Sequence, residues 1–189
     1  MQKVFYAVIF SIIIFSGCTK DRTFTFPTNV AVVSYDTTKP FIVANEFVAT
    51  EDANSWTNEF GKQADWIELY NPSNHIMDFN TENIYITDTI GIKDKFQLTH
   101  FTIAPKAFLM VCCDDSARNT ATQIHTSFSL SKKGEFVGVY RKNNDGSFTA
   151  MTEKPFAAQT AGVSTGMYPD GSGVWYGNLT PTPGASNHQ

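Results

Sequence analysis

Apolar residues in this chain come in short bursts, and nearly every burst ends at a turn former. FIVANEFVA (41–49), DWIELYN (65–71), IYITD (84–88), KFQLTHFTI (95–103), AFLMVCC (107–113), HTSFSLS (125–131), EFVGVYR (135–141) and SFTAM (147–151) read as strands. An alternating burst sends successive side chains to opposite faces of a strand, whereas a helix would repeat its apolar residues three and four apart. Between the bursts lie Asn71-Pro72-Ser73-Asn74, Ala104-Pro105, Lys133-Gly134, Asn144-Asp145-Gly146 and Pro169-Asp170-Gly171. Short strands at this spacing, with this turn chemistry, predict an all-β antiparallel sandwich or barrel. Asp145-Gly146 tolerates the positive φ of a tight turn, so a hairpin is expected there.

The strand DWIELY predicts its own facing. Alternation puts Ile67 and Leu69 on one side and Trp66, Glu68 and Tyr70 on the other. With one face buried, the aliphatic pair belongs to the core, and Glu68 is expected to point away from it with an ordinary carboxylate pKa. Pro72 has no amide to donate, which ends the strand. Cys112 and Cys113 are neighbours on another strand, one facing inward and one outward. They are expected as two thiols, the alternative being a strained vicinal disulfide. No Cys and His spacing of a zinc site is apparent.

Residues 1–17 follow a different rule. Lys3 precedes an apolar run, Val4 to Phe15, broken only by Ser11; it is short for a membrane-spanning helix and suits a signal-peptide core. Ser16-Gly17-Cys18 then resembles the bacterial lipobox. The expectation is a lipoprotein signal at 1–17, a lipidated Cys18, a flexible threonine-rich tether at 18–40 and one folded domain at 41–187. An ordinary signal peptide with a chance cysteine is the alternative. The chain carries 14 Lys and Arg against 18 Asp and Glu, and processing would leave 13 against 18. That balance lacks the basic surface that nucleic acid requires.

VANEFVA (43–49), DWIELYNPSN (65–74), IYITD (84–88), HTSFSLSKKGEFVGVY (125–140) and STGMYPDGSGVWYGNLTPTPGASN (164–187) together resemble the lamin-tail domain in its bacterial form. The resemblance covers about 41–187. It implies an immunoglobulin-like β-sandwich that binds partners rather than catalysing a reaction. With the lipobox in front, the chain is similar to lipoproteins of Bacteroides-related bacteria, which implies an outer-membrane anchor and a periplasmic or surface position. For an anchored binding module in that position, the expected partner is an envelope protein or a polysaccharide. It also leaves open an accessory role beside a metal-dependent secreted hydrolase encoded on another chain, since such domains accompany hydrolases. Lys20-Asp21 loosely resembles a surface-sorting signal of the same bacteria.

The candidate binding surface is aromatic. Trp56 and Phe60 lie in a loop at 50–64 that is longer than a hairpin needs, and Trp175 and Tyr176 lie in a second loop. Loop aromatics either anchor a partner or fold back to cap the sandwich. Glu51, Asp52 and Asp65 are carboxylates that could hold Ca2+ in the first loop, although they lack EF-hand spacing. His125 and Ser127 share a strand face, but nothing supplies an oxyanion hole or an orienting acid, so no catalytic residue is assigned.

Overall fold

The alternation becomes two stacked sheets. The computed structural model describes residues 40–50 and 56–189, all within one unit, Ala31–Gln189. Cys18, Glu51 and Asp52 lie outside the described residues. The described chain contains thirteen strands and no helix.

The large sheet is built on β1 (Val43–Val48), β2 (Asp65–Tyr70) and β7 (Phe108–Cys113). Beyond β1 lie β12 (Ser164–Met167) and the edge strand β13 (Trp175–Leu179); beyond β7 lie β9 (Ile124–His125) and β8 (Arg118–Asn119). All its pairings are antiparallel except β7 with β9, which run parallel and bring Cys112 level with His125. The small sheet has β10 (Gly134–Lys142) flanked by the edge strand β11 (Phe148–Ala157) and by β4 (Ile84–Thr87), with β5 (Phe96–Gln97) outermost. A two-stranded ribbon, β3 (Met77–Asp78) with β6 (Thr102–Ile103), completes the architecture. The fold is therefore a β-sandwich.

One apolar core fills the space between the sheets. Phe47, Ile67, Leu69 and Val111 come from the large sheet, Ile84, Ile86, Val137 and Val139 from the small one, and Met77, Leu98 and Ile103 from the ribbon side. The predicted hairpin joins β10 to β11: Lys142 pairs with Phe148, and Gly146 takes φ +82°.

Two expected strands are divided. The run 95–103 breaks at His100, which adopts φ +68°, and its halves join different sheets as β5 and β6. In 125–131 only His125 belongs to a strand. The backbone beyond leaves the ladder, with the Thr126 hydroxyl donating to the Phe128 carbonyl and the Leu130 amide donating to Asp65.

Ile67 and Leu69 are both fully buried in the core, as alternation requires. Leu69→Ala should therefore lower the unfolding free energy by about 2–5 kcal/mol in urea titrations. A loss comparable to an exposed substitution would place Leu69 outside the core.

Candidate functional site

The outward face of β1 and β2 departs from the sequence expectation. Trp66 and Glu68 are as completely buried as Ile67 and Leu69. Glu68 pairs across the strands with Glu46, also fully buried. What covers them is the 168–173 turn and the C-terminal segment after β13. Glu68 accepts from the Gly184 amide at 2.7 Å and from the Asn45 side-chain amide at 3.2 Å. Glu46 accepts from the Thr182 amide at 3.1 Å, from the Thr182 hydroxyl at 3.0 Å and from the Ser164 hydroxyl. Asp170 accepts from Asn45 at 2.9 Å and from the Asn187 amide at 3.0 Å. Asn187 donates onward to the Met167 carbonyl at 2.8 Å, over Gly166, where any Cβ would stand 2.7 Å from its side-chain nitrogen.

Burial raises the pKa of Glu68 to about 8, helped by the nearby charges of Glu46 and Asp170 and opposed by the two donors. Burial raises Glu46 as well. The expectation of an ordinary, outward Glu68 is thus corrected: alternation assigns the face properly, but that face is not solvent. These acids are engaged in holding the chain together.

A second polar cluster lies further along the same face. Cys112 sits opposite Trp66 in the β2–β7 pairing, while Cys113 enters the core beside Val111. The thiols are free and face opposite ways, but both are buried, the outward one included. Burial pushes the Cys112 thiol up to about 12, with the Asp114 charge adding to it. Asp114 reaches the His125 Nδ1 at 2.8 Å, and His125 is fully buried. Burial opposes the Asp114 charge, yet bonds from Ser116 and His125 hold its carboxyl below the usual range.

The loop before β2 folds over this cluster. The Asn58 side-chain oxygen accepts from the Phe60 and Lys62 amides, which closes a tight turn, and its side-chain NH2 points toward the Cys112 sulfur at 3.9 Å. Trp56 lies half-buried, its ring 6.4 Å from that of Trp66, in a capping position. Phe60 remains 51% exposed, but its inner face rests 5.8 Å from His125 and the Arg118 guanidinium sits 4.6 Å from its centroid. Asp65 is half-buried and engaged by the Leu130 amide at 2.9 Å.

The other candidate aromatics lie elsewhere. Trp175 and Tyr176 begin β13, and Trp175 leans on the core at Phe47, 5.8 Å away, with the Lys154 ammonium 5.3 Å from its ring. A groove of about 260 Å³ runs there between 154–159 and 175–178. It lies at the seam between β11 and β13, the edge strands of the two sheets. Gln159 bridges the seam, accepting from the Ala49 amide at 2.6 Å and donating to Thr165 at 3.0 Å. The four aromatics therefore form two separate surfaces, and Ser127 does not join His125 in a hydrogen-bonded pair. The cluster of Cys112, Asp114 and His125 was missed in the sequence because only the parallel β7–β9 pairing assembles it.

No protein-family model matches the chain, and no curated protein is significantly similar to it.

The buried carboxylate makes stability depend on pH. Folded Glu68 binds its proton more tightly than an ordinary glutamate near 4.5. Its contribution is therefore complete below about pH 4.5, erodes as pH rises and is lost above about 8. Glu68→Gln mimics the protonated acid, so it should match wild type near pH 5 and exceed it near pH 9 in melting temperature. Parallel melting-temperature curves for the two proteins would contradict the shift.

Proposed function

We propose that the chain is a lipid-anchored, non-enzymatic binding module of lamin-tail type, held by Cys18 in the outer membrane of a Bacteroides-related bacterium. In this reading its sandwich has the immunoglobulin-like arrangement of that family, and it contacts an envelope protein or a polysaccharide. The observation that carries the reading is the seam between β11 and β13, where Tyr176 and Lys154 line a groove between two sheet edges. Edge strands offer unpaired backbone donors and acceptors to an extended polymer, and aromatic rings supply contact area at small entropic cost. The engagement of Glu46, Glu68 and Asp170 in internal bonds supports a scaffold role for the middle strands.

Tyr176 is the better probe of the seam, because Trp175 also packs on Phe47. Replacing Tyr176 with a photoreactive aromatic and irradiating intact cells should yield an adduct with one envelope protein. If the partner is a polysaccharide, the purified protein should instead be retarded in gels containing envelope glycan, and Tyr176→Ala should abolish the retardation. The absence of both an adduct and a retardation would remove the seam from consideration. Anchoring is tested separately: mature protein should carry lipid mass on Cys18, and Cys18→Ala should release it from membranes or block its processing.

A further inference from the structure

The geometry points to a zinc-class divalent metal site formed by Cys112, Asp114 and His125. Their donor atoms all lie within 4.8 Å of one another, and the Asp114 and His125 donors stand 2.8 Å apart. Tetrahedral zinc with bonds of roughly 2.0–2.3 Å spaces its donors about 3.3–3.5 Å apart, so the Asp114 and His125 donors would part by about 0.5 Å and the thiol would turn inward to complete the set. Thiolate, imidazole and carboxylate together suit a borderline cation; calcium and magnesium prefer oxygen alone. One thiolate and one carboxylate also neutralise a divalent charge, which a buried position demands.

An independent feature lies on the far side of the imidazole. Among the described residues, buried His125 Nε2 has no hydrogen-bond partner, and Glu59 Oε1 stands off it at 3.5 Å. With neutral His125 donating from Nδ1 to Asp114, Nε2 would turn a bare lone pair toward a carboxylate. A metal on Nδ1 reverses this, because the ring proton then resides on Nε2 and faces Glu59. A carboxylate behind the second nitrogen is the usual outer support of a metal-bound histidine. Glu59 is held in place for that role by the hydroxyls of Thr120, at 2.9 Å, and Thr122.

The surroundings define what the metal would do. Cys112 and His125 are inaccessible, and Phe60 covers the imidazole beneath Arg118. A metal there would clamp the 56–63 loop, through Glu59, to β7 and β9. Binding requires Cys112 to lose its proton: the thiol hydrogen leaves to solvent as the sulfur–metal bond forms, and no electron is transferred. Cys113, one residue away and facing the core, is the internal control.

The experiment uses the purified full chain, stripped with chelator and titrated with Co2+. One equivalent should bind and produce a thiolate-to-cobalt charge-transfer band in the near ultraviolet, which one equivalent of Zn2+ should bleach. Cys112→Ser should abolish the band, Cys113→Ser should keep it, and Asp114→Asn should keep it while weakening binding. The absence of a stoichiometric band in wild type would overturn the assignment. A band that survives Cys112→Ser, or disappears with Cys113→Ser, would overturn it equally. Because the wild-type titration is decisive alone, a folding defect in one variant does not rescue the site.

Discussion

Backbone amides with no strand to pair with are the constraint around which this molecule is organised. The middle strands of the large sheet are covered outside by a segment without regular structure, which has no ladder partner for its Thr182, Gly184 and Asn187 amides. Buried amides need partners. Glu46, Glu68 and Asp170 supply them, accepting from Thr182, Gly184 and Asn187 in turn. The three carboxylates act as a substitute for a ladder. Burying these acids is costly, their closeness adds to the cost, and the raised pKa of Glu68 expresses it. Retaining a proton lowers the mutual repulsion while preserving acceptors for the amides.

The same constraint explains what the sequence could and could not disclose. Ile67 and Leu69 were legible because a period of two needs no knowledge of distant chain. Glu68 was misread because alternation identifies a face, not what lies above it. Its cover comes from residue 184, and that of Glu46 from residue 182, in a Pro-Thr-Pro-Gly segment with no periodicity of its own. The run 95–103 looked continuous because a single residue at positive φ, His100, leaves little compositional trace. Trp56 and Phe60 drew notice as loop aromatics, but only the fold separates a residue lying against Trp66 from one left half open.

Topology, not motif, also assembles the Cys112 neighbourhood. A hairpin would have placed the residues after β7 antiparallel to it in predictable register. Here the chain passes through β8 and returns beside β7 in parallel as β9, aligning Cys112 with His125. Asp114, two residues beyond Cys112, emerges where the ladder ends and can turn toward the imidazole. Thirteen positions separate Cys112 from His125, and no short-range spacing rule would join them.

The two polar clusters occupy one face yet are electrostatically separate. Along the β2–β7 pairing, Tyr70 stands opposite Phe108, Glu68 opposite Met110 and Trp66 opposite Cys112. The fully buried indole of Trp66 and the side chain of Met110 therefore lie between the carboxylates and the thiol. The charges that perturb each cluster divide accordingly: Glu68 responds to Glu46 and Asp170, Cys112 to Asp114 and Asp65. Groups without shared partners contribute to stability additively. The C-terminal strap and the 56–63 loop can thus be fastened by different chemistry, one through protons and amides, the other through a histidine and a thiol. Loosening either need not release the other, because the core beneath both is the same continuous set of side chains from β1, β2 and β7.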